Sequence, residues 1–337
     1  MKICQILGGN EDGGLEKHTI ELSYELQKKD IDVTIIAHEK FREEFKGLKF
    51  ISLDLTKSRN NVFMLYKLYK ILKKENFDII HSQANKATAI VTNLKRFVSP
   101  KIVSTLHSYK KNLSAFKKSD YVITVSNKIG EKLYIKNKVT IYNGIKMEDV
   151  NKIDLHERYN IPKDKFIICA VGRLSHVKRF DILISSLQHI NNVHLILVGN
   201  GKEEESLKKL SNKLNVNNKI TFTGSLKNED AKEIMKASKL FVMTSDKEGF
   251  PYTLIETLCC NTVIISTDVS DIRDIIGDNN IIPFNDYKYL SNEINKIKDT
   301  YDEVNKEFIP IFNLAQEKFT IEYMTKETIE IYKKVLV

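Results

Sequence analysis

Two successive series of short apolar runs, each separated from the next by a helical pattern, constrain the fold more than any other feature. The runs at 2–7, 32–37 and 101–106 are almost continuously apolar, which is typical of strands buried on both faces. The segments between them, such as 16–29 and 60–75, place apolar residues at the three-to-four spacing of helices. Strands that alternate with helices form parallel sheets with helices on both faces. The sequence therefore predicts the α/β class, with two doubly wound, Rossmann-like domains.

The strand pattern stops and restarts near the middle of the chain, which locates the domain boundary. Predicted strands of the first series lie at 2–7, 32–37, 49–53, 77–81, 101–106, 121–125 and 139–142. Those of the second series lie at 166–171, 194–198, 220–223, 240–243 and 262–266. The charged stretch at 146–165 is interpreted as a linker. A chain of 337 residues is long enough for two hydrophobic cores. From the two series of strands we predict domains at 1–148 and 163–312.

The composition, at 42% hydrophobic and 29% charged residues, is that of an ordinary soluble globular protein. The cysteines show no metal-ligand spacing, and we interpret all four as buried thiols of a reducing compartment: Cys4, Cys169, Cys259 and Cys260. The first apolar run is too short for a signal peptide, and no run approaches the length of a membrane span. We therefore expect a cytoplasmic protein, free or peripheral on the cytoplasmic face of the inner membrane.

Positive charge is concentrated in the first half of the chain, where residues 57–118 hold 14 basic and 2 acidic residues. Within this segment a predicted helix places Lys67, Lys70 and Lys74 on one face beside a wide apolar stripe. One interpretation is a core-packed helix with solvated lysines. The other is a basic amphipathic surface that binds anionic lipid or attracts a phosphorylated acceptor. Nucleic acid is a weaker candidate because no recognition motif is present.

Two glutamates eight positions apart, Glu248 and Glu256, flank Gly249-Phe250-Pro251. Pro251 suits the first turn of a helix, because its missing N–H would have no partner there. Glu248 then lies in the preceding loop and Glu256 more than a turn inside the helix. Eight positions is a little over two turns, so both carboxylates can face one cleft and bind hydroxyl groups. A solvated carboxylate pair is the alternative.

Glycine loops and a histidine follow predicted strands of the first domain. The loop that includes Gly13 and Gly14 lets backbone approach a ligand at the start of a helix, where free N–H groups attract an anion. It fits neither a dinucleotide fingerprint nor a P-loop, and a tight turn is the alternative. His107 follows the strand at 101–106 and can donate to a sugar hydroxyl or to developing charge. His81 also ends a predicted strand, and we interpret it as structural.

In the second domain, Gly172-Arg173 and Lys178 follow the strand at 166–171 and precede a predicted helix. A planar guanidinium and a point charge at this position suit a diphosphate, which they can hold and stabilise as a leaving group. Two solvated cations are the alternative. The glycine turns at 199–201 and at Gly224 also follow strands, and either turn can let a nucleobase stack against backbone.

In their order along the chain, these elements resemble the retaining glycosyltransferases of family 4 (glycosyl transferases group 1), in their bacterial glycan-biosynthesis branch. The resemblance covers nearly the whole chain. It rests on Gly13-Gly14, His107, Tyr142-Asn143-Gly144-Ile145, Gly172-Arg173-Leu174 with Lys178, Glu248-Gly249-Phe250-Pro251 and Glu256. It implies the GT-B architecture, in which two Rossmann-like domains face each other across a cleft. It also implies that a closing helix at about 321–337 crosses back and completes the first domain.

The resemblance implies a role for each of these residues. Glu256 binds the ribose hydroxyls of a nucleotide sugar, and Arg173 and Lys178 hold its diphosphate in place of a metal. The carboxylate of Glu248 and the backbone of Gly249–Phe250 contact the donor sugar. The outer hydroxyls of that sugar contact His107, and the Gly13-Gly14 loop closes on the phosphates. No metal and no other cofactor is expected, because Arg173 and Lys178 take the place of a metal. The departing diphosphate itself takes the proton of the acceptor, so no enzymic base is expected either.

The loop at 268–274 departs from the family pattern, with Ser270-Asp271 where Gly-Gly is common and Asp274 where Glu is common. Asn261 and Val263 replace the usual Gly and Pro. The donor contacts of this loop are therefore expected to differ from those of the family.

The implied reaction moves a hexose or N-acetylhexosamine from a nucleotide diphosphate sugar to a glycan acceptor. Uridine diphosphate is the first candidate nucleotide and guanosine diphosphate the second. The basic surface suggests a membrane glycolipid acceptor, such as lipopolysaccharide core, capsule or a lipid-linked oligosaccharide. Two alternatives stay open: a nucleotide-sugar epimerase of the same fold, and a non-catalytic protein that binds membrane or nucleic acid.

Overall fold

The structure is a computed structural model that describes residues 1–10 and 13–337. The chain divides into two compact units. The first comprises Met1–Lys146 together with Lys318–Val337, and the second comprises Met147–Glu317. The prediction for the Gly8–Gly14 loop lies in part outside the described residues, since it includes Glu11 and Asp12.

The first unit contains a seven-stranded parallel sheet. Its strands are β1 (Lys2–Leu7), β2 (Asp32–Ala37), β3 (Lys49–Ser52), β4 (Ile79–Gln83), β5 (Lys101–Leu106), β6 (Tyr121–Thr124) and β7 (Lys138–Thr140). The spatial order is β3-β2-β1-β4-β5-β6-β7, so the order reverses between β1 and β4. Its helices are α1 (Gly14–Lys28), α2 (Val62–Glu75), α3 (Ala84–Leu94), α4 (Asn127–Glu131) and, from the end of the chain, α13 (Ile321–Leu336).

Alternation along β1 shows how both faces of this sheet are covered. Ile3 and Leu7 pack in one apolar cluster with residues of α1 and α13, including Leu22 and Met324. Cys4 and Ile6 belong to a second cluster with residues of α2 and α3. The closing helix therefore forms part of the core of the first unit.

The second unit contains a six-stranded parallel sheet. Its strands are β8 (Phe166–Val171), β9 (Val193–Val198), β10 (Ile220–Gly224), β11 (Leu240–Met243), β12 (Val263–Thr267) and β13 (Ile281–Ile282), in the order β10-β9-β8-β11-β12-β13. Its helices are α5 (Leu155–Arg158), α6 (Phe180–Ser186), α7 (Glu204–Lys213), α8 (Asn228–Ala237), α9 (Tyr252–Cys259), α10 (Ile272–Ile276) and α11 (Tyr287–Asp299). A further helix, α12 (Tyr301–Lys318), ends where the chain re-enters the first unit. Two doubly wound α/β units are thus confirmed.

Several element boundaries differ from the prediction. Strand β4 begins two residues later than the predicted run at 77–81, so His81 lies in the middle of the strand instead of at its end. The short strand β13 lies outside the predicted pattern because it spans two residues. Residues 147–162, interpreted as a linker, belong to the second unit. There Asp154 caps α5 and Leu155 is buried. Glu148 forms an ion pair with Lys232 of α8, with 3.0 Å between Oε2 and Nζ.

Helix α2 carries both of the features that the sequence suggested. Asn61 caps it by accepting from the Met64 backbone N–H, and Met64, Leu68 and Leu72 are buried. On the outer side Phe63 is 82% exposed and Val62 is 74% exposed. The predicted lysines Lys67, Lys70 and Lys74 are also exposed. Among the described residues, no helix is long and apolar enough to cross a membrane.

Candidate functional site

In the second unit, an ion pair between Lys178 and Glu248 links the ends of two adjacent strands. Lys178 follows β8 and Glu248 follows β11, and these two strands pair where the strand order reverses. Lys178 Nζ lies 2.6 Å from Glu248 Oε1, and the two side chains are 20% and 15% exposed. Ligands of doubly wound sheets bind at such a reversal, outside the carboxyl ends of the strands. The structure therefore brings together two of the predicted site residues where ligand binding is expected.

The turn after β8 gives Lys178 its position. A Cβ on Gly172 would lie 3.2 Å from Lys178 Cε, so the absence of that atom leaves room for the lysine side chain. A single 3-10 turn, His176–Lys178, precedes α6, so Lys178 lies two residues before the helix. Arg173 is exposed in the same connection. The segment therefore presents both predicted phosphate-binding cations beside the strand end.

The glycines at 199 and 201 support this turn, and the stacking of a nucleobase against their backbone stays a prediction. A Cβ on Gly199 would lie 2.0 Å from the Gly172 carbonyl oxygen, and one on Gly201 would lie 2.2 Å from the Leu174 carbonyl oxygen. The Leu174 N–H also donates to Asn200 over 2.8 Å. These glycines pack directly against the backbone of the turn. Gly224 also has a positive φ, of +71°, which favours glycine, but it differs from Gly199 and Gly201 because the space around it is open.

Backbone contacts fix the loop that carries Glu248. Thr244 Oγ1 donates to the Lys178 carbonyl over 2.8 Å, and the Asp246 N–H donates to Val177 over 2.8 Å. Ser270, in the loop that departs from the family pattern, donates its hydroxyl to the Gly249 carbonyl. Ser270 has a φ of +51°, a conformation that favours glycine. This serine therefore links the 268–274 loop to the segment that contains Glu248.

Glu256 occupies the fifth position of α9 and is 4% exposed. Pro251, expected in the first turn, instead precedes the helix as its N-cap residue, and Phe250 is buried beside it. Asn228 Nδ2 donates to Glu256 Oε1 over 2.9 Å. Asn228 was not predicted from the sequence. Its position as the first residue of the helix after the Gly224 turn could have identified it as a candidate, because this is where a strand ends and a helix begins.

In the first unit, His107 belongs to a buried polar cluster. Its Nε2 lies 2.8 Å from Gln83 Oε1, and its ring meets the edge of the His18 ring at a centroid distance of 4.7 Å. His18 Nδ1 in turn lies 3.1 Å from Asn143 Oδ1. Burial lowers the pKa of His107 well below its ordinary value and that of His18 to about 4. Burial therefore favours the neutral form of both rings, which suits hydroxyl groups better than a phosphate.

His81 lies deeper in the same cluster. Its Nδ1 lies 2.6 Å from the Tyr332 hydroxyl and its Nε2 lies 2.6 Å from Thr105 Oγ1. Burial lowers its pKa to about 3. Two glutamines complete the cluster, because Gln83 Nε2 donates to Gln5 Oε1 over 2.9 Å. Three members of this cluster were not predicted from the sequence: Gln5, Gln83 and Tyr332.

The Gly13-Gly14 loop leads directly into α1, which begins at Gly14. The Lys17 N–H donates to the Gly13 carbonyl over 3.1 Å, so the first turn of the helix is formed. The contact of this loop with phosphates stays a prediction.

Burial was predicted for all four cysteines and is confirmed for three of them, whereas the prediction is wrong for Cys259. Cys4, Cys169 and Cys260 are buried, Cys259 is half-buried, and burial raises the pKa of Cys169 and Cys259 to about 12. Over residues 1–10 and 13–337, no group of three or more His, Cys, Asp or Glu side chains is placed to hold a metal ion.

Comparison with known proteins places this geometry in a family. The profile of Glycosyltransferase Family 4 matches residues 12–149, and that of Glycosyl transferases group 1 matches residues 151–310. The lipopolysaccharide core biosynthesis glycosyltransferase LpsE of Rhizobium meliloti is 26% identical over 275 residues, covering 79% of each chain. The capsular polysaccharide biosynthesis glycosyltransferase CapH of Staphylococcus aureus is 25% identical and covers 98% of each chain. The structure of Anabaena HepE in complex with UDP and glucose superposes with a TM-score of 0.84 at 16% identity, covering 99% of this chain and all of that one (100%). The HepE match shows the same fold.

Proposed function

We propose that this chain, which belongs to the family 4 glycosyltransferases of GT-B fold, transfers a hexose or N-acetylhexosamine with retention of anomeric configuration. The donor is a nucleoside diphosphate sugar and the acceptor is a glycan. The observation that carries the proposal is the Lys178–Glu248 pair at the adjacent ends of β8 and β11, at 2.6 Å. A cation for the leaving group and a carboxylate for the sugar hydroxyls are thereby held side by side.

Each residue of this site has a separate task. Lys178 and Arg173 hold the diphosphate and stabilise the negative charge that develops as it departs. Glu256, fixed by Asn228, binds the ribose diol. In the transfer the bond from the sugar C1 to the diphosphate oxygen breaks while a bond from C1 to the acceptor oxygen forms on the same face. The acceptor proton passes to the departing diphosphate. The two cations supply the positive charge for this step, and we propose that no metal is needed.

The substrates are proposed from the relatives. UDP is the nucleotide in the complex of HepE with UDP and glucose, which supports a UDP-linked donor. LpsE and CapH are named for lipopolysaccharide core and capsule synthesis, which supports a bacterial surface glycan or its lipid-linked precursor as the acceptor.

The test compares thermal stabilisation of the full chain by UDP, GDP and ADP, each with and without EDTA. Stabilisation by UDP that persists in EDTA supports a UDP-linked donor and metal-free binding. Stabilisation by another nucleotide replaces the donor, and loss of stabilisation in EDTA contradicts the metal-free site. NMR of the first-formed product then reads its anomeric configuration, and inversion contradicts retention. Turnover of the nucleotide sugar without an acceptor would indicate an epimerase instead.

A peripheral membrane site is proposed for the outer side of α2. Phe63 and Val62 are exposed there beside exposed Lys67, Lys70 and Lys74, and Lys70 Nζ lies 4.8 Å from the Tyr66 ring centroid. Exposed apolar groups flanked by lysines match the interface of an anionic membrane, where each lysine contributes about 1 kcal/mol. Such a surface would bring the enzyme to a glycolipid acceptor.

Cosedimentation with anionic and with neutral vesicles at low salt tests this membrane site. Replacing Lys67, Lys70 and Lys74 by Gln should abolish binding to anionic vesicles. The matched control replaces three exposed lysines of the second unit, Lys209, Lys213 and Lys306, and makes the same change in net charge. Equal loss in both triple variants would show that net charge alone acts, and retention of binding in the α2 variant would contradict the site.

A further inference from the structure

We propose that Gln83 is a positioning residue that holds the His107 imidazole with its proton on Nε2, so that Nδ1 accepts a hydrogen bond from a substrate hydroxyl. Gln83 is 1% exposed at the end of β4, and His107 is half-buried just after the neighbouring strand β5. One ring nitrogen of His107 is therefore held by a buried group, while the residue as a whole is only partly buried. The part of the proposal that concerns a substrate rests on the proposed function, whereas the proton position is a property of the protein alone.

The orientation of Gln83 determines the proton position. Its Nε2 donates to Gln5 Oε1 over 2.9 Å, so its Oε1 faces His107 Nε2, at 2.8 Å. An amide oxygen only accepts, which means that His107 Nε2 carries the hydrogen. A neutral imidazole has one N–H, and the lone pair therefore lies on Nδ1. Burial keeps the ring neutral by lowering its pKa well below the ordinary value.

The hydrogen bonds that continue from Gln83 through Gln5 to Tyr332 and His81 have the same direction of donation. Gln5 Nε2 lies 3.3 Å from the Tyr332 hydroxyl oxygen, and an amide nitrogen cannot accept the hydroxyl proton. That proton is therefore donated to His81 Nδ1, at 2.6 Å. His81 then carries its own proton on Nε2 and donates to Thr105 Oγ1, at 2.6 Å. Donation thus runs from His107 through Gln83, Gln5 and Tyr332 to His81, and the protonated nitrogen of each histidine reports this direction.

This arrangement gives His107 a definite specificity. An acceptor nitrogen pairs with a hydroxyl, which can donate, and not with a fluorine or an ether oxygen, which cannot. A donor sugar whose contacted hydroxyl is replaced by fluorine should then be used as poorly as the corresponding deoxy sugar. With the proton on Nδ1 the fluoro sugar would be used better than the deoxy sugar. A panel of fluoro and deoxy donor sugars therefore distinguishes the two proton positions during catalysis.

The decisive test is nitrogen NMR of the full chain labelled with ¹⁵N-histidine, at neutral pH and without substrate. Histidine signals are assigned by single substitutions, and exposed His189, which stacks on Tyr287, serves as the internal reference for a ring at the surface. The proposal expects His107 and His81 both to carry the proton on Nε2. A proton on Nδ1 of His107 would overturn it. Because no substrate is present, this outcome is independent of whether the proposed transfer reaction is found.

The variant Gln83→Glu separates positioning from simple packing. A carboxylate still accepts from His107 Nε2, but it cannot donate to Gln5. Gln5 must then turn its amide nitrogen towards residue 83 and its oxygen towards Tyr332, whose hydroxyl now donates to Gln5. His81 consequently has to place its proton on Nδ1. The expected result is that His107 keeps its proton on Nε2 while His81 switches, and an unchanged His81 would contradict the connected chain.

If the glutamate variant fails to fold, Tyr332→Phe supplies the second measurement. This change removes the hydroxyl that donates to His81 Nδ1 and leaves Gln83 in place. His107 should keep its proton on Nε2, since Gln83 fixes it directly. A His107 ring that loses this preference in Tyr332→Phe would show that Gln83 alone does not position it and would overturn the assignment.

Discussion

The two polar sites of this enzyme, one in each unit, are built on opposite electrostatic principles. In the second unit, Lys178 and Glu248 form a charged pair that is 20% and 15% exposed. In the first unit, His18, His81 and His107 are kept neutral because burial lowers the pKa of each ring. Charges suit a diphosphate and a reaction that separates charge, whereas neutral donors and acceptors suit hydroxyl groups. From this difference we propose that the second unit binds the leaving group and that the first recognises hydroxyl groups.

The largest effect is expected in the charged site. Lys178→Ala should lower kcat/KM for transfer by about 100- to 1,000-fold, because a preorganised group that stabilises developing negative charge is lost. Steady-state kinetics with the nucleotide identified by thermal stabilisation measures it. Lys209→Ala, at an exposed lysine of α7, is the matched control and should leave kcat/KM unchanged. A loss of less than tenfold in Lys178→Ala would remove this lysine from the leaving-group site.

The neutral histidine cluster (His18, His81 and His107) should make the stability of the first unit more sensitive to acid than that of the second. The pKa of His18 is about 4 and that of His81 about 3 in the folded chain, against an unfolded value of about 6.5. Between these values the unfolded chain binds more protons, so the free energy of unfolding falls as the pH falls below about 6.5. Each ring contributes about 1.4 kcal/mol per pH unit, and the two together about 2–3 kcal/mol per pH unit.

Hydrogen exchange, compared between β4 of the first unit and β8 of the second, measures this difference. In the second unit, burial lowers the pKa of His194 to about 4, so a smaller loss per pH unit is expected there. His81→Gln should reduce the pH dependence in β4 by about 1.4 kcal/mol per pH unit and leave β8 unchanged. Equal pH dependence in both units would contradict the contrast between charged and neutral sites.

The next effect concerns nucleotide affinity. Glu256→Ala should weaken binding of the nucleotide about 10- to 100-fold, since a charge-assisted hydrogen bond to the ribose is worth about 1.5–3 kcal/mol. Glu248→Ala should instead lower kcat and leave nucleotide affinity nearly unchanged, because the proposed contact of Glu248 is with the sugar and not with the nucleotide. Calorimetric titration with the nucleotide, combined with kcat, separates the two. Equal loss of affinity in both variants would mean that the two carboxylates serve one group.

The two sites also differ in how much of them the sequence predicts. Lys178, Glu248 and Glu256 stand in short motifs directly after strands or within the following helix, and those strands are apolar enough to recognise. Parallel-sheet topology then brings the strand ends together without further information. The fold could be predicted because these strands are recognisable as apolar runs. The boundaries of five strands agree with the predicted runs: β1, β2, β5, β8 and β11.

The neutral cluster was largely missed because its members share no local pattern. Gln5 and Tyr332 are separated by 327 positions, and Gln5 interrupts an apolar strand without any motif around it. His81 was expected at a strand end because Phe77 extended the apolar run, but β4 begins at Ile79. A buried hydrogen-bond network depends on which side chains meet across the fold, and periodicity carries no information on that.

The smallest effects come from the two supporting residues, and each should alter one site only. Asn228→Ala removes the 2.9 Å hydrogen bond to Glu256 and should weaken nucleotide binding by about 0.5–1.5 kcal/mol, or about 2- to 13-fold. Tyr332→Phe leaves His81 Nδ1 without its 2.6 Å donor and should lower the free energy of unfolding of the first unit by about 1–3 kcal/mol. Titration with the nucleotide and hydrogen exchange of β4 are measured on both variants. Because the two residues belong to different units, an effect of Tyr332→Phe on nucleotide affinity equal to that of Asn228→Ala would contradict the separation of the sites.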